Sequence, residues 1–296
     1  EYATATGTVT IKVNKATPTF NAPTAQENLT YTGQEQALIT AGSVTSGGTM
    51  QYSLTENGTY SPDIPTGTDA GTYTVWYRVI GDANHNDTAP ASVAVSIGQK
   101  PLTITGVTVA SKLYDGTTNA DITSVTFDNV TLKRDTDYNV TASFDYASVD
   151  SGKNVTATVT LMGQAAKNYS LEQSSFPTTA SIAKAAAPDF TKETALTIVN
   201  DCEKTYTVTL PALPTLETPK EYGAVTYGAP TVNLPNTYYA DGAKVEDGKL
   251  ILPIQKNDVK TTGSVGTVTV VIKSTNYADI TLTVNVNATN KLVPTV

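Results

Sequence analysis

A short set of markers recurs along this chain at nearly one spacing, and self-similarity at a fixed period confines a chain to a row of similar folding units. A strand-like run followed by a lysine and then a proline appears at Val9–Pro18, at Val93–Pro101 and at Ala180–Pro188. Its lysines, Lys15, Lys100 and Lys184, lie 85 and 84 residues apart. Tyr31-Thr32-Gly33 and Tyr114-Asp115-Gly116 are 83 apart, and Asp69-Ala70-Gly71 is answered 81 residues later by Asp150-Ser151-Gly152. The period places domains at residues 16–99, 100–184 and 185–296, with proline after each boundary stiffening the linker. Residues 1–15 then read as the closing strand of a preceding repeat or as a strand added to the first domain. At 296 residues the chain is long enough for two or three separate cores.

Inside a repeat the apolar residues alternate. Tyr73, Val75, Tyr77 and Val79 fall on one face of a period-two run entered through Thr68-Asp69-Ala70-Gly71, which predicts a half-buried strand behind a fixed corner. Asn57-Gly58 between Gln51–Leu54 and Thr59-Tyr60 predicts a hairpin. The palette of Thr, Asn, Ser, Val and Tyr is that of solvated sheets, so the expected class is all-β. The second corner is out of step: Gly71 to Val75 is four positions and Gly152 to Val155 is three. Either a bulge absorbs the extra residue or Asn154 makes the local hydrogen bonds. The third repeat is less regular, broken by Pro211, Pro214 and Pro219. Order returns at Lys249–Ile254, at Gly266–Ile272 and in a final hairpin through Thr281–Val286, before a tail at 288–296.

Asp69, Gly71 and Tyr73, with Val75 two positions on, resemble the tyrosine corner that opens strand F of immunoglobulin-type sandwiches, so the Tyr73 hydroxyl is expected to bond backbone a few residues upstream. The order Tyr31-x-Gly33, Tyr52-Ser53-Leu54 with Asn57-Gly58, Pro65-x-x-x-Asp69-Ala70-Gly71-Thr72-Tyr73-Thr74-Val75 and Gly81-Asp82-x-Asn84 resembles the MBG-type Ig-like repeats of bacterial surface proteins. Leu102-Thr103-Ile104 with Lys112–Thr118 is similar to the YDG-type repeat that often neighbours them. The resemblance implies tandem immunoglobulin-like β-sandwich domains arranged as an elongated rod. It further implies a non-catalytic structural or adhesion stalk segment of a bacterial secreted or cell-surface protein. Its partners would be neighbouring Ig-like domains of the same parent chain and a host or dietary glycan or surface protein.

The residues offer little chemistry. A net charge of −8, from 27 acidic and 19 basic residues without a basic block, argues against nucleic acid and anionic membrane. No apolar run is long enough to insert into a bilayer, and the first residues are not a signal peptide. Cys202 is the only cysteine, which excludes internal disulfides, and it reads as a half-buried strand residue. His85 is the only histidine, in a polar loop with no partner base or nucleophile in view, so no catalytic residue and no cofactor are assigned. Asp82, Asn84 and Asn86 have the one-three-five spacing of calcium-loop oxygens but lack the distal glutamate. Asn84 also aligns with Asn168 and Asn276, which favours a turn former bonding its own backbone. Asp69 and Asp150 read as turn caps rather than glycosidase carboxylates. The composition permits a Lys–Asn isopeptide bond, but no spacing identifies one. The alternative function is a carbohydrate-binding module, placed in the third domain, with a stacking platform drawn from Trp76, Tyr222, Tyr227, Tyr238 and Tyr239.

Overall fold

A computed structural model describes residues 2–190, 192–199, 202–256 and 262–289. The chain is all-β apart from a single short helix among the described residues, Gly163–Asn168. It divides into two compact units. One comprises Glu1–Gly106, Val125–Val140 and Val159–Ser174, the other Val107–Ser124, Thr141–Thr158 and Ser175–Val296. No helix among the described residues is long and apolar enough to cross a membrane.

In the first unit the alternation near Tyr73 becomes the central strand of a three-stranded antiparallel sheet, Gly71–Gly81 between Gly48–Ser53 and Ala91–Ile97. Period two puts Val75 and Val79 on the inner face, both fully buried, beside Val95, Ile97, Met50 and Tyr52. Leu38 and Ile39, from the short strand pairs opposite, complete this core. The Asn57-Gly58 region forms a tight turn, with the Gly58 N–H bonded to the Thr55 carbonyl. The expected hairpin shrinks there to one bridge, Tyr52 to Ser61. Pro62 follows that bridge directly and has no N–H with which to extend the ladder. Residues 2–15 carry no strand and are exposed.

The second unit holds most of a four-stranded sheet, Lys112–Leu113, Ser175–Ala183, Asp150–Leu161 and Tyr138–Phe144 in that order. The phase slip at its corner is a bulge. The pairing of Asp150–Leu161 with Ser175–Ala183 shifts register between Asp150 and Lys153, and Gly152 supplies the left-handed φ of 61°. Asn154 is exposed and takes no part in resetting the phase.

The third repeat, also in this unit, is a sandwich. Thr194–Val199, Ile280–Thr289, Gly263–Ser274 and the pair Val225–Tyr227 and Thr231–Asn233 form one sheet; Lys204–Thr209, Lys249–Ile254 and Lys244–Glu246 form the other. Ile198, Val268, Val270, Ile272, Val284 and Val286 from the first sheet pack with Leu250, Leu252 and Ile254 from the second in one core. The terminal strand runs on to Thr289, into the stretch expected to be tail, and residues 290–296 lie outside the described residues. Cys202 is exposed in the reversal between Thr194–Val199 and Lys204–Thr209, not half-buried in a strand.

Parallel pairing recurs where each repeat closes: Thr30 beside Gly98, Leu113 beside Ala183 and Val199 beside Thr289. Leu250, with no exposed surface, lies at the centre of the third core. Leu250→Ala should lower stability by about 2–5 kcal/mol through lost burial and the cavity left behind. Chemical denaturation followed by tyrosine fluorescence is the check, with the effect carried by the midpoint and not by the slope.

Candidate functional site

The chain turns sharply after each long central strand. In all three repeats the segment just past that turn pairs in parallel with the linker that opens the repeat: Ala16 beside His85, Lys100 beside Tyr169, and Ala185 beside Tyr277. The residue before each linker position sends its side chain to carbonyls of the turn. Lys15 Nζ donates to the Asp82 and His85 carbonyls at 3.3 and 3.4 Å, Gln99 Nε2 to Ala166 at 2.8 Å, and Lys184 Nζ to Ser274 at 2.7 Å. In the first and third repeats the marker lysine is therefore a clamp on the linker, and in the second Gln99, one residue before Lys100, takes that place.

This pairing delivers an asparagine to a fixed place. In the first unit Asn168, 3% exposed, accepts the Ala70 N–H on Oδ1 at 2.9 Å and donates Nδ2 to Asp69 Oδ1 at 3.0 Å. Lys167 Nζ reaches Asp69 Oδ2 at 2.9 Å, and the Tyr169 ring meets Tyr31 edge-on with centroids 5.3 Å apart. In the second unit Asn276, also 3% exposed, accepts the Val149 N–H at 3.0 Å and donates to the Glu221 carbonyl at 3.0 Å. Tyr277 there meets Tyr114 edge-on at 5.6 Å, and the Tyr114 hydroxyl accepts the Glu221 N–H at 2.9 Å.

Asn168 thus reads an N–H within the Asp69-Ala70-Gly71 corner and Asn276 the N–H just before Asp150-Ser151-Gly152, each in the repeat before its own, and each following tyrosine packs on the Tyr-x-Gly tyrosine of that repeat. The Tyr114-Asp115-Gly116 motif is built for this. Gly116 holds a φ of 82°, and a Cβ there would sit 3.0 Å from the Pro219 and Lys220 backbone. Asp115 fixes the turn by accepting from Lys112 Nζ at 2.8 Å and from the Thr117 N–H at 2.8 Å. The expectation that these asparagines bond their own backbone is corrected. A buried amide must satisfy both ends, and the groups within reach are distant in sequence: Asp69 and Ala70 for Asn168, Val149 and Glu221 for Asn276.

The two corners are held differently. Tyr73 Oη donates to the Asp69 carbonyl at 2.8 Å, and Gly71, at a φ of 148°, starts the strand. The second corner has no such tyrosine. Lys153, 4% exposed, donates Nζ to the Tyr146 carbonyl and, at 2.7 Å, to the Ser148 carbonyl, while Tyr146 Oη donates to Asp150 Oδ2 at 2.6 Å. Burial lowers the pKa of this ammonium, and the Tyr146 hydroxyl bond holds Asp150 below the usual carboxylate range. Lys153 escaped the sequence reading although a signal was present, since it stands in phase with the buried Val155, Ala157 and Val159.

The remaining candidates fall apart as sites. Asp82 Oδ1 accepts the Asn84 N–H at 2.8 Å and faces His85 Nδ1 at 2.7 Å, and Asn86 Nδ2 donates to the Lys15 carbonyl at 3.1 Å. Those three residues build a turn closed on itself and on the linker. The sugar platform is not assembled either. Tyr238 is 4% exposed in the core, Tyr222 bonds the Pro214 carbonyl and packs on Tyr277, and Tyr239 accepts the Ala243 N–H. Only Tyr227 of the four is exposed, and Trp76 is half-buried on the opposite face of its strand from Val75. Stacking needs coplanar rings open to solvent, and core packing has taken most of these.

The geometry defines a class, namely Ig-like β-repeats joined through a buried asparagine–corner contact. Residues 98–180 match the YDG domain, so the joint's Tyr114 and its Lys153-held corner lie within the matched stretch. No curated protein matches the chain. Among solved structures, Drosophila N-cadherin domains EC1–3 are similar at 9% identity over 74% of this chain and 78% of that one, with a TM-score of 0.26. Protocadherin gamma B2 domains 3–6 show 13% identity over 94% and 76%, TM-score 0.30. The Bacteroides ovatus mixed-linkage glucan protein SGBP-B shows 14% over 93% and 71%, TM-score 0.20. These superpositions carry no role over to this chain.

Removing the corner hydroxyl by Tyr73→Phe should cost about 0.5–1.5 kcal/mol, one net hydrogen bond, read by chemical denaturation. The joint should also depend on pH. Hydrogen bonds from Lys167 and Asn168 hold the Asp69 pKa below 3.8, so the carboxylate favours the folded joint at all pH above its unfolded value. The contribution declines once the pH falls below that value and is lost as it passes the lowered folded pKa. Exchange protection of the Ala70 amide should hold down to about pH 4 and fall below it, and Asp69→Asn should abolish that fall.

Proposed function

We propose that this chain is a non-catalytic structural and adhesion segment of a bacterial secreted or cell-surface protein. In this reading residues 16–99 are an MBG-type module, 100–184 a YDG-type module and 185–296 a third Ig-like module. Their fixed joints carry a functional domain clear of the cell. The partners are the neighbouring modules of the parent chain and, beyond them, a host or dietary glycan or a surface protein.

The observation that supports this best is the repetition of the joint. A flexible tether gains nothing from burying an asparagine and orienting two aromatic rings at each linker, because ordering those groups costs entropy that only a fixed angle repays. A joint of the same kind in both units, with its asparagine and its two tyrosines at matching places in the repeat, fits a part whose task is spacing. The carbohydrate-binding alternative has lost the platform on which it rested.

Two measurements test the proposal. In ¹⁵N relaxation, residues 16–99 and residues 125–140 with 159–174 should share one rotational correlation time, and Asn168→Ala should split it into two. Separate tumbling in the unaltered chain would remove the mechanical basis of the reading. Antibodies against the chain should label intact cells of the source bacterium, and labelling seen only after lysis would rule out a surface role.

A further inference from the structure

The joint that Asn168 and Asn276 complete is present a third time, with its far side open. Asn84 occupies the same register position: its carbonyl accepts the Ala16 N–H at 2.9 Å and the Asn86 N–H bonds the Ala16 carbonyl at 2.9 Å. The Asn276 carbonyl does the same for Ala185 at 3.0 Å, and the Ala278 N–H returns to Ala185 at 2.9 Å. Asn168 and Asn276 are buried by the corners they read, whereas Asn84 is exposed. A cavity of about 390 Å³, lined by Val13–Ala16 and Ala83–His85, opens beside it.

A separate observation identifies the occupant. Counting back from the linker residues Ala16, Lys100 and Ala185, the positions three, five and seven earlier are Val13, Ile11 and Val9; Ile97, Val95 and Val93; and Ile182, Ala180 and Thr178. In the second and third sets these residues belong to the last strand of a sheet, where Ile97, Val95, Ile182 and Ala180 are 2, 4, 1 and 7% exposed. Val9, Ile11 and Val13 are 86, 79 and 88% exposed. Three apolar side chains alternating in water on an extended segment have the pattern of a closing strand without its sheet.

We infer that the Asn84 face is a docking site for a further Ig-like module of this kind, whose closing strand is Gly7–Val13 and whose corner peptide N–H is received by the Asn84 side chain. The inference rests on the joint reading proposed above. Asn84 Oδ1 accepts the corner N–H, as Asn168 does from Ala70, and its Nδ2 donates to the corner carboxylate, as Asn168 does to Asp69. His85 takes the register position of Tyr169 and Tyr277.

The test uses an extended chain in which residues 18–97 replace residues 1–13, so that the copied Val93–Ile97 stands in the register of Val9–Val13 and the copied Asp69-Ala70 corner faces Asn84. Asn84→Ala should leave the melting midpoint of the original chain unchanged and lower the adjoining transition of the extended chain by roughly 4–8 °C. Asn168→Ala should lower its own transition in both chains. If Asn84→Ala is neutral in both while Asn168→Ala is not, the inference falls and the joint reading stands. If Asn168→Ala is neutral too, the joint reading falls and takes the inference with it. A second extension, with residues 102–182 in the same place, guards against one ill-matched copy. The Asn84 side-chain amide protons should be protected from exchange in at least one extended chain, and solvent-rate exchange in both overturns the inference whether or not the added module folds.

Discussion

A primary amide has two donors and an acceptor, and removing it from water leaves each in need of a partner. At Asn168 the partners are the Ala70 N–H and the Asp69 carboxylate of a corner in the preceding repeat; at Asn276 they are the Val149 N–H of the preceding repeat and the Glu221 carbonyl of its own, and leaving one unmet would cost about 1–3 kcal/mol. That demand links the other features of each joint. The corner must present an N–H outward, which requires its turn to be fixed from within. The asparagine must arrive at one depth and angle, which requires the linker to be paired with the segment carrying it. The clamp from Lys184, or from Gln99 at the same place, ties that linker to the turn.

The two corners show how one geometric requirement admits unrelated solutions. In the first repeat a phenol two residues past the glycine reaches back to a carbonyl, contributing a single neutral hydrogen bond. The second repeat has one residue fewer between corner glycine and buried valine, and the bulge at Gly152 turns Lys153 inward. A buried ammonium is costly alone, but Lys153 has two carbonyls to donate to and lies 3.2 Å from the centroid of the Tyr146 ring. Tyr146 in turn reaches Asp150, so the corner closes through three side chains where Tyr73 uses one.

Much of this was legible in the sequence. Tyr73, Val75 and Val79 were readable because a strand repeats every two residues, and the linker pairings fall at the markers that recur at one period. The phase slip at Gly152 called for either a bulge or a bond from Asn154, between which packing chose the bulge, and Lys153 stood in phase with the buried face that follows it. The Asn57-Gly58 hairpin was misjudged because the ladder depends on Pro62 as well as on the turn. The tyrosines of the third repeat were misjudged for a broader reason: a Tyr at a strand position serves a core or a ligand equally well until its neighbours are known.

The asparagines mark the boundary between the two sources of information. Asn84, Asn168 and Asn276 are one residue type after one kind of turn, and nothing local separates them. Asn168 meets its partner 98 positions away and Asn276 meets its own 127 away. Local periodicity dictated the strands, their inward faces and the order of the repeats, since backbone geometry imposes a short period on the side chains it exposes. Which amide is buried, and against which corner, followed from packing alone, because desolvation depends on what arrives from elsewhere in the chain.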